Sequence, residues 1–387
     1  MGTSEAWDVV VVGAGPAGAS AAREVRRRSD GRLSVLLVEK AEFPRRKVCG
    51  CFLNGSAVAT LRSMGLGDLP SRCNAPTVTR MQLANNGSVA AFPLTGGVGL
   101  SRESLDTQLV KEAVRAGVVT YTQTHANLDT ANADGCWLQL TSSHRAELNG
   151  RVVHCKCLIA ADGLSGRLLR DFPGIDYEVA PESLIGAATF LVEAPSGYTP
   201  ETVTMAVGAE GYVGTLVLED RRLDIACAFQ AKALKKFGPA KLATRITEQS
   251  GLPELTDLEN TKWLGTPPVS RKAQRPAFER VFLIGDSAGY VEPFTGEGMA
   301  WALASGRAVA DCAIRVTEHY SPEIANEWLT VHRSMFNRKQ RWCRLITRSL
   351  RHSIIARTSV LALRTFPGLA APVVRQINTP PSLPQLQ

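Results

Sequence analysis

Trp7–Arg28 reads WDVVVVGAGPAGASAAREVRRR. Four successive valines, Val9 to Val12, predict a strand buried on both faces, as in parallel sheets. A glycine-rich turn follows, then a run with small residues along one side, which predicts a tight turn into a helix. Arg32–Lys40, RLSVLLVEK, predicts a second buried strand that ends at Glu39. The three together make a βαβ opening.

The turn is Gly13-Ala14-Gly15-Pro16-Ala17-Gly18. A GxGxxG pattern is a weak signal alone, but between a buried strand and a helix it reads as a dinucleotide fingerprint. Gly13 permits the turn, Gly15 lets the backbone approach a pyrophosphate, and Gly18 allows close packing of the helix. The helix N-terminus, with Pro16 and Ala17 in its first turn, favours the diphosphate charge. Glu39, 21 residues beyond Gly18, is placed to accept ribose hydroxyls, with Lys40 beside it. A carboxylate there repels a 2′-phosphate, so the site suits FAD or NAD rather than NADP.

Further along, Leu100–Gly117 predicts a helix capped by Ser101. Val153–Gly163, VHCKCLIAADG, and Arg280–Gly289, RVFLIGDSAG, each predict a buried strand running into an acid–glycine turn: Asp162-Gly163 and Gly285-Asp286. From Ser183 to Gln230 the chain shows three strand-like runs with turn signals and no helix between them, which predicts an antiparallel sheet. The fold class expected is α/β. A three-layer Rossmann-type dinucleotide-binding domain comprises 1–75, 100–175 and 271–325. A β-sheet substrate domain comprises 76–99 and 176–270, and 326–387 is a basic helical C-terminal segment.

With these motifs in this order, the chain resembles the FAD-dependent oxidoreductases of the p-hydroxybenzoate hydroxylase type, and within them the geranylgeranyl-reductase-like branch. The branch is carried by FPRRKVCG, from Phe43 to Gly50, and GDSAGYVEPFTGEG, from Gly285 to Gly298. The resemblance implies that Asp286 bonds the ribityl chain of FAD and that Asp162-Gly163 lies near the pyrophosphate. It implies that Arg102 contacts the cofactor and that Pro293, Gly296, Glu297, Gly298 and Met299 pass beside the isoalloxazine ring. In the substrate domain, Tyr212 of YVGTLV is the nearest match to the Tyr-x-Trp-x-Phe-Pro motif of geranylgeranyl reductases. No two of the six tryptophans lie two apart, so the Trp-x-Trp signature of flavin halogenases is absent.

Cys49 and Cys51 stand one glycine apart, at Gly50. Zinc requires about four ligands, usually in spaced CxxC pairs. The candidate second half, Cys155 and Cys157, is expected to face one side of a buried strand as core, so no metal is expected. A Cys49–Cys51 bridge is strained at this spacing. The resemblance places this stretch at the flavin ring. Cys49 is then either a proton donor or a small packing residue, with Gly50 making room for the ring. Lys47 either balances cofactor charge or is solvated.

The net charge of +8 is unevenly spread. Trp328–Gln387 holds ten Lys+Arg and no Asp or Glu, while the remainder carries a net −2. The expected helix in this tail has Trp342, Leu345, Ile346, Leu350, Ile354 and Ile355 on one face and arginines on the other. Such a helix suits an anionic membrane surface or packs on the chain's own substrate domain. No nucleic-acid motif accompanies the charge. No uninterrupted apolar run reaches the roughly 18 residues of a spanning helix. A basic n-region with a separate h-region is also missing, so a cytoplasmic protein is expected.

The expected function is a FAD-dependent oxidoreductase of a small lipophilic substrate, with NADPH or NADH as transient reductant, working as a monomer or weak homodimer. Hydroxylation of a phenolic or polyketide-like ring through a C4a-hydroperoxide leads. Reduction of C=C bonds in an isoprenoid-like chain is the alternative. An electron carrier at a membrane surface is the reading from another class.

Overall fold

The computed structural model describes residues 5–169, 172, 175–292, 294 and 296–381. The valine run forms the strand Glu5–Val12 at the centre of an extended sheet. Parallel neighbours flank it: Arg151–Ala160 on one side and Val35–Val38 on the other. Val281–Leu283 and Val119–Tyr121 extend the parallel set outward. Alternating side chains go to opposite faces. Val9, Val11, Leu37 and Ile159 pack beneath the helices Pro16–Arg28, Arg102–Arg115 and Gly298–Glu318. Val10, Val12, Leu36 and Leu158 pack beneath the antiparallel strands Thr124–Ala131 and Cys136–Ser142. A sheet buried on both faces needs apolar residues at every position, which is why the run does not alternate.

A second, eight-stranded sheet has Gly211–Val217 between Leu223–Phe229 and Thr202–Gly208. It continues through Thr77–Asn85 and Ser88–Gly99 to Phe52–Leu53. The long run from Thr202 to Glu219 folds as two strands, turning at Ala209-Glu210, so this segment contributes four strands rather than three. One face of this sheet is covered by Pro239–Gln249, through Leu242 and Ile246. The other face carries Met81, Met205 and Leu216, and the C-terminal helices lie on it.

The basic segment forms Pro322–Arg351, Ser353–Thr365 and Ala371–Asn378. Leu350, Ala356 and Val360 are buried against the second sheet. The single apolar face expected for this tail is not what forms. Leu350 turns inward and Ile346 is half-buried, while Trp342, Leu345, Ile354 and Ile355 are exposed alongside the arginines. The helix also breaks at His352, so a single helical periodicity does not run through the tail. Cys155 and Cys157 are both buried, yet they pack into clusters on opposite sides of the first sheet.

Candidate active site

The first strand stops at Gly13, whose φ of +101° is open to glycine. A Cβ there would lie 2.3 Å from the Ala161 carbonyl oxygen, so the two strand ends touch backbone to backbone. A Cβ on Gly18 would lie 1.8 Å from the Gly13 oxygen. Gly15 differs: its nearest neighbours are the guanidinium groups of Arg45 and Arg102, each 3.6 Å from the position of a Cβ. Gly15 caps the helix Pro16–Arg28 without a side-chain hydrogen bond, and the first turn of that helix holds no acid. The place between helix N-terminus and guanidiniums is thus electropositive and accessible to backbone contact, as a diphosphate requires.

The charges around it form a buried network. Arg102 donates two hydrogen bonds to Asp106, at 2.9 and 2.8 Å. Arg45 lies 3.3 Å from Asp106 and 3.4 Å from Glu39. The Glu39 carboxylate accepts from the Ala14 and Ala41 backbone at 2.8 and 3.0 Å, which locks the glycine turn to the end of the second strand. The Nε of Arg45 is buried without a partner, an orphan that a bound ligand would satisfy. Burial, then repulsion from Arg45, lowers the Lys47 ammonium to about 8, and an anion in the cradle would reverse this.

These groups line one continuous cavity of about 620 Å³. Gly13, Gly15, Pro16, Ala17, Glu39, Lys40, Lys47, Cys49, Gly50 and Arg102 reach it, as do Asp162, Gly163, Tyr212, Asp286, Gly296, Gly298 and Met299. Gly18, Gly285 and Glu297 do not line it. Gly18 and Gly285 make room for backbone and for Ala17. The buried Glu297 instead accepts a hydrogen bond from the Cys343 thiol at 3.3 Å. Pro293 lies outside the described residues.

Asp162 borders the cavity, but its carboxylate accepts from the Arg167 and Leu168 amides and the Ser287 hydroxyl. It shapes the loop rather than facing a ligand. Asp286 is raised to about 6 by burial, opposed by Arg102, Arg271 and Lys47. A hydroxyl-bearing ligand at Asp286 would supply the hydrogen bonds that ionisation otherwise demands.

The far half of the cavity is apolar and lies against the second sheet, with Phe52, Met81, Val203, Met205, Phe294 and Val269. Glycine and alanine at Gly186, Gly214, Ala226 and Ala228 keep its floor low. Cys49 stands where the two halves meet. Its sulfur accepts from the Cys51 amide at 3.4 Å. Hydrogen bonding with Cys51 lowers the Cys49 thiol to about 6 against the effect of burial, with Arg102 assisting. Cys51 moves the opposite way, as does Asp224, a buried acid on the cavity-facing side of its strand with Oδ2 unpartnered.

Tyr212 stacks edge-on against Phe294 at 5.1 Å, with Glu292 as a charged neighbour. Arg45, Asp106, Asp224, Tyr290 and Glu292 belong to the site and were not singled out from sequence. Nor were Thr124–Asn127, which line the end of the cavity beyond Lys40. Arg45 had a signal, because it stands in the same FPRRKVCG stretch.

Comparison with known proteins agrees with this geometry. The FAD binding domain family matches residues 6–312. Digeranylgeranylglycerophospholipid reductase 2 of Methanothermobacter thermautotrophicus is 27% identical, over 90% of this chain and 86% of that protein. Menaquinone reductase of Mycobacterium tuberculosis is 29% identical, over 80% and 77%. Among solved structures, a geranylgeranyl bacteriochlorophyll reductase-like protein from Thermoplasma acidophilum superposes with a TM-score of 0.73 at 19% identity, covering 97% of this chain and all of that one. The flavin-dependent brominase Bmp2 superposes with a TM-score of 0.76 at 16% identity, covering 96% and 93%. The glycine cradle, the arginine pair and the family match together establish that the chain belongs to the FAD binding domain family, as a FAD-dependent oxidoreductase of the p-hydroxybenzoate hydroxylase superfamily.

Proposed function

We propose that this protein reduces C=C bonds in an isoprenoid-like lipid. The observation that carries the reading is the Cys49 thiol, set between the polar and apolar halves of the cavity and tuned by Cys51 and Arg102. Saturating a C=C bond adds two electrons and two protons in all, as a hydride to one carbon and a proton to the other. FAD, when bound, supplies the two-electron chemistry. The chain must supply the remaining proton, exclude water and hold the alkene.

Each of these tasks has residues. Phe52, Met81, Val203, Met205 and Phe294 offer an apolar bed for an unbranched or methyl-branched chain. A thiol whose pKa lies near neutrality gives up and regains a proton with little cost, which is what a general acid needs. Arg102, already held by Asp106, steadies the thiolate left behind. Asp224 and Cys51, both buried and both raised well above their ordinary range by their surroundings, stand behind Cys49 as a proton reserve. Relatives that are 27–29% identical are named as reductases of an isoprenoid lipid and of menaquinone, which supports the same class of substrate. NADPH or NADH, bound transiently, is the proposed source of electrons.

This order reverses the expectation from sequence, in which hydroxylation leads. One assay separates the two. FAD-loaded protein, reduced chemically without air, is mixed with digeranylgeranylglycerophospholipid or a menaquinone, and the lipid is weighed by mass spectrometry. Gain of one H₂ per double bond supports reduction. An unchanged lipid, with gain of one oxygen atom once air is admitted, overturns it in favour of hydroxylation.

A further inference from the structure

The C-terminal helices have a second face that the site does not use. Ile354 and Leu361 of Ser353–Thr365 are exposed on it, and Phe366 and Leu369 are exposed just beyond the end of that helix, Ile354 to 75% and Phe366 to 64%. Ile354 and Leu361, seven apart, lie on one stripe of Ser353–Thr365, opposite the buried Ala356 and Val360. A stripe of large apolar side chains in water is costly and marks a contact surface.

The charges of the C-terminal segment have one sign, and Arg357 and Arg364 stand on the same helix as the stripe. Arg338, Arg341, Arg344, Arg348, Arg357 and Arg364 are exposed, and no Asp or Glu follows Glu327. Among the described residues, the ion pairs of the segment beyond Glu327 are made by Lys339 and Arg351, leaving these six outside any. Burial and repulsion from Arg348 and Arg341 both lower the Arg344 guanidinium. A fold that tolerates this crowding gains when an anionic surface neutralises it.

We propose that this face docks on an anionic lipid bilayer, the apolar side chains entering the headgroup–acyl boundary and the arginines meeting lipid phosphates. Among the described residues no helix is long and apolar enough to cross a membrane. A second copy of the chain is a poor occupant, since self-contact would press the arginines against their own kind. Nucleic acid would meet the arginines but leave Ile354, Phe366 and Leu369 unexplained. The combination of apolar stripe and basic flanks is that of an interfacial helix.

The inner side of the same helix gives docking a purpose. Ala356 and Val360 share a cluster with Met81, Met205, Phe294 and Tyr212, which line the cavity. The helix is thus the partition between the cavity's apolar half and the docking face. That a lipid enters on this side rests on the reductase reading, whereas the bilayer contact does not.

The test uses the FAD-loaded full chain and sedimentation with vesicles of phosphatidylcholine, with and without phosphatidylglycerol. Two variants are compared, Ile354→Asp with Phe366→Asp, and Arg341→Glu with Arg344→Glu. All four sites are exposed, and retained FAD absorbance confirms folding. Binding to the anionic vesicles is expected, weaker by at least about tenfold on phosphatidylcholine alone and in both variants. Failure of the parent to bind, or binding that neither variant weakens, would overturn the proposal. So would a dimer in solution that the Ile354→Asp/Phe366→Asp variant dissolves. If vesicles bind but detergent-dispersed lipid is not reduced, the bilayer contact stands and the reductase reading falls.

Discussion

The Arg351 guanidinium meets the Glu292 carboxylate at 2.5 Å, tying the last turn of the long C-terminal helix to the wall of the cavity. Glu292 is 2% exposed, and its other oxygen, Oε1, is buried. Burial raises its pKa, and Arg351 opposes that. Removing the cation leaves a buried carboxylate uncompensated. Arg351→Met is expected to cost about 2 kcal/mol in denaturant unfolding. The double variant Arg351→Met/Glu292→Gln should recover much of the loss. A double variant no more stable than Arg351→Met would show that the arginine acts through packing alone.

Seven of the nine cysteines are buried, which leaves Cys49 and Cys73 open to reagent. Burial raises Cys73, whereas Cys49 is lowered to about 6. Alkylation of the FAD-free protein by iodoacetamide should therefore rise through about pH 6 and level off by neutrality. Cys49→Ser should abolish that phase and slow lipid reduction by about a hundredfold. A single phase rising only in the alkaline range would exclude a tuned thiol.

Burial raises the Asp224 carboxyl well above the ordinary carboxylate range, with the neighbouring Cys49 adding to the effect. Its folded pKa lies above the unfolded value. The acid therefore favours the fold when neutral, and the fold pays more for it as pH rises. Asp224→Asn should match or exceed the parent in stability at alkaline pH while keeping FAD. It should also slow turnover by about tenfold if the acid replenishes Cys49. Unchanged turnover, measured with its solvent isotope effect, would remove Asp224 from the proton path.

His332 sits between Trp328 and Phe336, with ring centroids 5.9 and 4.9 Å away. Burial lowers it to about 4, with Lys272 and Arg333 adding repulsion. Between that value and the ordinary 6.5 the unfolded chain binds the proton and the folded chain does not. Stability therefore falls as pH drops through this window, by up to about 3 kcal/mol. His332→Phe should flatten the dependence between pH 6.5 and 4. An equally steep decline in the variant would assign it to other groups.

Substituting Gly18 by alanine brings a Cβ within 1.8 Å of the Gly13 oxygen, so the helix must move away from the turn. Gly18→Ala is expected to purify with about a tenth of the parent's FAD or less. Full occupancy would show that the helix can shift without opening the cradle.

The strand–turn–helix opening was legible in sequence because every constraint on it is local. Buried valines, a glycine at positive φ and a helix N-terminus follow from residues adjacent in the chain. The acid–glycine turns at Asp162 and Asp286 were legible for the same reason, though not the use made of each carboxylate. Asp162 spends its oxygens on its own loop, while Asp286 faces the cavity. The tail shows the limit most clearly. Its charge was plain from composition, yet which apolar residues turn inward depended on where the second sheet lay. Packing on that sheet buried Leu350 and Val360 and left Ile354 and Phe366 outside. Likewise the loop carrying Cys49 and Cys51 meets Asp224 on a strand far away in sequence, and only the tertiary structure, by excluding water from between them, decided which way the pKa of each is pushed.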